Sequence, residues 1–170
     1  MGKLIKLIVR SDLPFSIIDD DNFQDFVNYL KRSNGRGSSD LVSRRTIMRR
    51  VEEMYIEKKQ ELKESLNSFK SKYSITCDVW TSKNQMSFFG FTIHYINDDW
   101  KVEGHLLAFK YLESEQDGLS LSKAMIDVLE NYEIANRLPG VTCDNASNNS
   151  TMLAEIEKYY LLTYPDCGFS

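Results

Sequence analysis

Two aspartates stand where a protein could hold a metal ion. Asp78 lies within the apolar, β-rich segment 74–80, where a carboxylate is costly to bury unless it is paired, hydrogen-bonded or bound to a cation. Asp144 ends a second short apolar segment and precedes a run of polar turn formers, 145–149. Two converging carboxylates suit Mg²⁺ or Mn²⁺, since hard cations prefer oxygen ligands. Ions held in this way can support phosphoryl transfer.

Each aspartate also has a purely structural explanation. Asp144 could cap the helix that follows it, and Asp78 could accept a hydrogen bond from Thr81 or Ser82 at the end of its strand. The spacing alone leaves both alternatives open for each residue.

The elements that would position these aspartates form an α/β pattern after residue 72. They are three strands, a helix, a strand and a helix, at 74–80, 86–96, 100–109, a helix beginning at Gly118, 141–143 and 151–162. We expect the first three strands to be antiparallel and the fourth to join the first in parallel through a right-handed crossover. This arrangement places the ends of the strands that carry Asp78 and Asp144 side by side.

The hairpin formed by the second and third strands is expected to supply most of the core. Alternation puts one set of apolar side chains on a single face, and we expect Trp80 to be buried with them: Phe89, Phe91, Ile93 and Tyr95. We interpret His94 and His105, which lie on separate strands, as ordinary sheet residues rather than metal ligands.

Residues 1–72 form a predicted helical region, and residues 73–170 form a predicted sheet domain. A short helix should use Leu4, Leu7 and Ile8 as its apolar face. Asp20 and Asp21 should cap a second helix. The expected inner face of that helix consists of Phe23, Phe26, Val27 and Leu30, and an exposed loop should follow at 33–39. A long helix, capped by Ser43, is predicted over 43–69.

The charge distribution is uneven along the chain. Residues 1–72 contain 15 basic and 11 acidic residues, whereas residues 73–170 contain 6 and 14. Four arginines on the long helix could contact DNA phosphates: Arg44, Arg45, Arg49 and Arg50. They could equally form a salt-bridged surface with Glu52, Glu53 and Glu57.

The remaining composition argues against several protein classes. Three cysteines without a C-x-x-C pair argue against a zinc site or a disulfide framework. No apolar stretch has the length of a membrane span or a signal peptide, so we expect a soluble intracellular protein. We also expect no small-molecule cofactor.

Two motifs resemble the hAT family of DNA transposases. DVWTS at 78–82 is similar to the family's D-x-W-T-S strand, and GVTCDNASNN at 140–149 is similar to its T-x-D-N-A-S-N-N segment. The hairpin at 91–100 resembles the family's H-Y-I-D-x-D-W segment. Residues 13–16 and 43–47 resemble the helical region before the catalytic domain. The similarity therefore covers nearly the whole chain.

The resemblance implies an RNase H-like fold and a catalytic site of two aspartates and a glutamate, with Asp78 and Asp144 as the aspartates. It implies that the glutamate lies beyond residue 170 and that the family's BED zinc finger has no counterpart here. We therefore expect an incomplete, α/β RNase H-like domain that follows a small helical region in the sequence. Its mixed sheet should consist of three antiparallel strands and one parallel strand. Metal binding should be weak, if present, and transposition absent.

Three functions are compatible with this sequence. The first is a nuclear transposon remnant or domesticated fragment that associates weakly with DNA. The second is a protein-interaction module that uses the sheet edge and helix 43–69, with a full-length transposase or another protein as its partner. The third is a residual metal-dependent nuclease that uses Asp78 and Asp144 alone.

Overall fold

A computed structural model of the chain describes residues 2–33, 42–112, 117–138, 140–144 and 146–166. Its elements are α1 (Gly2–Arg10), a 3-10 turn (Phe15–Asp19), α2 (Asp21–Ser33), α3 (Arg44–Ser68), β1 (Ser74–Thr81), β2 (Ser87–Ile96), β3 (Val102–Leu112), α4 (Gly118–Asn131), a 3-10 turn (Ala135–Arg137), β4 (Gly140–Thr142) and α5 (Ser147–Thr163). Among these helices, none is long and apolar enough to cross a bilayer. The chain divides into two compact units, Met1–Glu61 and Leu62–Ser170.

The second unit contains one four-stranded sheet in the order β3-β2-β1-β4. β2 pairs antiparallel with both β1 and β3, whereas β4 pairs with β1 in parallel. The turn between β2 and β3 is organised by Asn97, whose side-chain oxygen accepts hydrogen bonds from the amides of Asp99 and Lys101, both at 3.0 Å. The predicted α/β architecture and mixed sheet are therefore confirmed.

One face of this sheet carries the core of the unit. The buried side chains come from β1, β2, α4 and α5, with single contributions from other elements; those of the helices include Leu121, Met125, Val128, Leu129, Met152, Ile156 and Tyr160. The predicted inner face of β2 is confirmed, since its four apolar members are all buried: Phe89, Phe91, Ile93 and Tyr95. Helices α4 and α5 thus cover this face.

The opposite face of the sheet differs from the prediction. Trp80 was expected in the core, but its side chain is 40% exposed, and Asp78 is exposed beside it. Both residues lie two positions apart on β1, on the face opposite Ile75 and Cys77, because successive side chains of a strand alternate. Because the Asp78 carboxylate is exposed to solvent, folding carries no desolvation penalty for burying its charge.

A β-bulge interrupts the pairing of β2 with β3. Phe91 pairs with Ala108, whereas the next residue, Thr92, pairs with Leu106, so Leu107 is an extra residue in β3. Leu107 is buried, while Leu106 is exposed. Outward-facing residues therefore have even numbers before the bulge (Val102, Gly104 and Leu106) and odd numbers after it (Phe109 and Tyr111).

The first unit has its own small core, made of Ile5, Ile8, Ile18 and Ile47. Two predicted caps are confirmed. The Asp20 carboxylate accepts a hydrogen bond from the amide of Phe23 at 2.9 Å, and the Ser43 hydroxyl accepts one from the amide of Thr46 at 3.3 Å.

Two predicted apolar faces of the first unit are partly wrong. Leu7 is exposed, and Ile5 takes the buried place on α1; Phe26 and Leu30 on α2 are exposed as well. Helical periodicity identifies an apolar stripe but not which of its members are covered. The predicted loop at 33–39 lies, apart from Ser33 at the end of α2, outside the described residues.

Gly118 permits a close approach between α4 and α5. A Cβ atom at this position would lie 2.5 Å from Cβ of Thr151 and 2.7 Å from the backbone nitrogen of Met152. We expect Gly118→Ala to lower the free energy of unfolding by about 2 kcal/mol, because the backbone of α5 would have to move. Urea denaturation of the parent and the variant measures this difference. Gly2→Ala is the control, since a Cβ there meets nothing within 4 Å; equal effects of the two substitutions would contradict the predicted clash.

Candidate metal centre

Asp78 projects from β1 on the outward face of the sheet. Its partner across the antiparallel pairing is Gly90, and the ring of Trp80 lies over that glycine, 3.0 Å from where a Cβ would stand. A carboxylate on a strand with paired neighbours has a well-defined backbone position. Asp78 therefore offers oxygen ligands to solvent from a fixed point of the sheet.

Asp144 reaches the neighbouring position through the parallel pairing of β4 with β1. The register pairs Thr76 with Thr142, and each aspartate follows its member of that pair by two residues. Asp144 is exposed, like Asp78. The predicted adjacency of the two strands is therefore confirmed. That the two carboxylates form one site stays a prediction.

Asn149 holds the carboxylate of Asp144 in place. Its side-chain amide donates to Oδ1 of Asp144 at 2.5 Å and to the Asp144 carbonyl oxygen at 3.2 Å. The amide of Ala146 donates to the same Oδ1 at 3.2 Å. The N-cap residue of α5 is Ala146, and no side chain caps this helix, so Asp144 does not act as its cap. The Asp144 carboxylate is exposed to solvent.

Sequence reasoning treated Asn149 only as a turn former, yet its side chain is buried, at 7% exposure. A signal was available, because Asn149 precedes Met152 and Ile156 by three and seven residues and so shares their helical face. A buried amide needs hydrogen-bond partners, and Asp144 supplies them.

A cysteine precedes each of the two aspartates in the chain. Cys77 precedes Asp78 and is buried, whereas Cys143 precedes Asp144 and is half-buried. Burial, with smaller contributions from Cys143, Asp78 and Asp144, raises the pKa of the Cys77 thiol to about 12. Burial and then Asp144 raise the pKa of Cys143.

The donor set fits part of a metal site. Asp78 and Asp144 supply carboxylate oxygens, which suit a hard divalent cation. Within the ranges that the structure describes, no group of three or more His, Cys, Asp and Glu side chains is placed to hold a metal ion. His94 and His105 instead contact other sheet residues, Thr76 at 3.0 Å and the Tyr95 hydroxyl at 3.4 Å.

The arginines of α3 mostly face acidic partners. Arg44 lies 3.4 Å from Asp19, while Arg50 lies 2.9 Å from Glu53 and 3.4 Å from Glu57. Arg49 is 3.8 Å from Glu53. These pairs match the salt-bridged alternative for Glu53 and Glu57, and such exposed pairs are individually weak. Contact of the four arginines with DNA stays a prediction.

Residues 76–164, more than half of the chain, match the family model of the ZBED1 RNase-like domain. The chain belongs to this family. Together with relatives named as transposases and BED zinc-finger proteins, the match makes it a hAT-family transposase-like protein. The resemblance seen in DVWTS and DNASNN is thereby confirmed, and so is the RNase-like fold class.

Three relatives illustrate the range of this RNase-like family. The chain is 30% identical over 156 residues to "Putative AC transposase" of Zea mays, covering 92% of this chain and 19% of that protein. It is 31% identical over 158 residues to "Putative transcriptional regulator tpeD" of Talaromyces stipitatus, covering 93% and 18%. It is 25% identical over 150 residues to "Zinc finger BED domain-containing protein DAYSLEEPER" of Arabidopsis thaliana, covering 88% and 21%. The chain thus spans about a fifth of the length of these relatives.

The raised pKa of Cys77 predicts a slow thiol. With a pKa of about 12, only roughly one Cys77 in ten thousand is a thiolate at pH 8, against about a quarter of an ordinary cysteine. Iodoacetamide should therefore label Cys77 roughly a thousandfold more slowly in the folded protein than in urea, with the rate rising as the pH approaches 12. Mass spectrometry of a Cys167→Ser variant measures this labelling.

Asp144→Asn provides a test of proximity in the same assay. Removing the negative charge should lower the pKa of Cys77 and shift its labelling profile to lower pH. Asp98→Asn, an exposed substitution in the β2–β3 turn, serves as the matched control. Identical profiles for Asp144→Asn and Asp98→Asn would show that Asp144 does not lie near the thiol.

Proposed function

We propose that this hAT-derived protein carries part of a two-metal phosphoryl-transfer site, in which Asp78 and Asp144 bind Mg²⁺ or Mn²⁺ next to a DNA phosphate. The parallel register of β1 and β4 supports the proposal, because Asp78 and Asp144 each follow a member of the Thr76–Thr142 pair by two residues. A bound divalent ion would supply positive charge for phosphate oxygens at this point.

The two aspartates of the proposed site are positioned in different ways. Asp78 is positioned by the backbone of β1, where it pairs with Gly90 of β2. Asp144 lies beyond the last residue of β4, so its orientation depends on Asn149 and on the amide of Ala146. Partners of this kind, which hydrogen-bond to metal ligands, tune the affinity of a site.

We propose that this pair alone binds the cation weakly and does not support transposition. No further His, Cys, Asp or Glu side chain completes a metal-holding group with Asp78 and Asp144 in the described residues. Asp78 and Asp144 by themselves would stabilise poorly the charge that develops in the transition state. The function proposed is that of a nuclear, transposon-derived protein that associates with DNA without turnover.

Isothermal calorimetry with Mn²⁺ tests the metal site. We expect measurable binding by the parent chain and at least a tenfold loss of affinity in Asp78→Asn and in Asp144→Asn, because each substitution removes a charged oxygen ligand. Asn149→Ala should also weaken binding by about tenfold, since Asp144 would lose its positioning contact.

Asp98→Asn and Asp166→Asn are suitable controls for this titration, since both remove an exposed carboxylate elsewhere. A parent protein that is folded by circular dichroism but binds no Mn²⁺ would rule out the proposed site. Equal losses in the controls and in Asp78→Asn would show that binding reflects total charge rather than these two residues.

DNA association is the second part of the proposal, and α3 supplies its candidate residues. Arg45 is an exposed member of the four and lines a shallow depression with Ser43, Thr46, Met48, Arg49 and Glu52. A phosphate contact there would release a counterion, so Arg45→Gln should weaken binding to duplexes of any sequence. It should also lower the slope of log affinity against log salt by about one.

Fluorescence anisotropy at several salt concentrations measures that slope. Lys58→Gln is the matched control, since Lys58 lies on the same helix and pairs with Glu61. If Arg45→Gln and Lys58→Gln reduce the slope equally, the effect is one of net charge and Arg45 makes no specific phosphate contact. If the parent binds no DNA at all, a protein-interaction role through helix 43–69 or the β4 edge replaces DNA association.

A further inference from the structure

The guanidinium of Arg137 lies against the C-terminal end of α3. It donates hydrogen bonds to the carbonyl oxygens of Phe69 and Leu66, the latter at 3.2 Å, and to Oδ1 of Asn67 at 2.9 Å. Carbonyls at the end of a helix have no partner within the helix, and they carry its partial negative charge. Residues 65–68, the last turn of α3, have uncharged side chains. Arg137 therefore supplies, from a distant part of the chain, the cation that this helix end favours.

Arg137 also contacts the start of β1. Its guanidinium lies 4.8 Å from the ring centroid of Tyr73, the residue that precedes β1. Its carbonyl oxygen accepts a hydrogen bond from the Tyr73 amide at 2.9 Å. The Tyr73 hydroxyl in turn donates to the Leu66 carbonyl oxygen, which also accepts from Arg137. One residue thus joins the end of α3, the start of β1 and the chain that enters β4.

β4 is too short to hold its alignment firmly by itself. It consists of Gly140–Thr142, and its ladder with β1 contains three residue pairs. Gly140 has no side chain to pack, Val141 is half-buried and Thr142 is exposed. Strands without a well-buried face specify their register weakly. Contacts outside the ladder therefore help to decide which residue of β4 lies beside which residue of β1.

Two such contacts flank β4. Asn149 holds Asp144 after the strand, through its side-chain hydrogen bond. Arg137 holds the chain shortly before Gly140. A slip of β4 by one residue would move its residues by about 3.3 Å along β1 and turn each side chain to the other face of the sheet. The position of Asp144 relative to Asp78 therefore depends on both contacts.

We propose that Arg137 is a positioning residue of the metal centre, which fixes the register of β4 on β1 and so sets Asp144 beside Asp78. This inference rests on the proposed function, since it assigns Arg137 to the metal site proposed there. Arg137 does not touch the cation; it acts through the alignment of β4. Lysine is an incomplete replacement, because its single ammonium lacks the planar fork with which arginine binds several acceptors at once.

A second link between the same segments provides a matched control. The Lys63 ammonium lies 2.7 Å from Oε1 of Glu133, so this pair also joins the end of α3 to the connection between α4 and β4. Glu133 lies before the turn Ala135–Arg137, whereas Arg137 is the last residue of that turn. Lys63→Met therefore removes one positive charge and one link to α3 but keeps the contacts of Arg137.

Calorimetry with Mn²⁺ measures the effect on the metal site. Arg137→Met should lower the Mn²⁺ affinity by about tenfold, as the loss of a residue that orients a metal ligand does. Arg137→Lys should give an intermediate affinity, and Lys63→Met should match the parent. Circular dichroism checks that each variant is folded. Equal losses in Arg137→Met and Lys63→Met overturn the proposal.

Hydrogen exchange of the Tyr73 amide, followed by NMR, is a readout that needs no metal. This amide donates to the Arg137 carbonyl oxygen, so its exchange reports whether the chain entering β4 lies beside the start of β1. The Ile93 amide, in a strand paired on both sides, reports global opening. In Arg137→Met the Tyr73 amide should exchange at least about tenfold faster relative to Ile93. Equal acceleration of both amides indicates a role in overall stability alone and overturns the proposal.

The two measurements separate a failure of this inference from a failure of the metal site. A parent chain that binds no Mn²⁺ rules out the proposed function, and the exchange of Tyr73 relative to Ile93 then decides whether Arg137 fixes the register of β4. A parent that binds Mn²⁺, with the same affinity in Arg137→Met, retains the metal site and overturns the role of Arg137.

Discussion

The parallel pairing of β1 with β4 is the constraint on which the second unit depends. Three residue pairs, Ser74 with Gly140 through Thr76 with Thr142, join segments that are more than sixty residues apart in the chain. A parallel strand requires a crossover, and α4 provides it while covering the core face of the sheet. Both aspartates and both described cysteines owe their proximity to this short ladder.

Much of this arrangement follows from patterns that a sequence contains. Alternation in β2, the hairpin of β2 and β3 and the crossover rule together predict the sheet order and the adjacency of β1 and β4. These signals are local, or they follow from a general rule of chain topology, so a single sequence is enough. The caps formed by Asp20 and Ser43 were predictable for the same reason, because a cap acts within one helical turn.

The errors concern which face of an element is covered. Trp80 was expected inside, and Leu7, Phe26 and Leu30 were expected on covered faces, yet all are exposed. Composition says that a tryptophan prefers burial, but only tertiary structure says which side of the sheet the helices occupy. Asn149 was missed for the opposite reason, since its polar type hid a buried position whose partner, Asp144, becomes visible only in three dimensions.

The bulge at Leu107 determines which face of the sheet is occupied by each residue of β3 that precedes it. In a regular strand the residues facing the same way as Phe109 and Tyr111 would be Leu107, His105 and Glu103. The extra residue replaces them with Leu106, Gly104 and Val102. The bulge therefore acts on the chemistry of a surface as well as on the shape of a strand. If the same residues of β3 paired with β2 without it, Glu103 and His105 would lie on the outward face, while every other strand stayed in place.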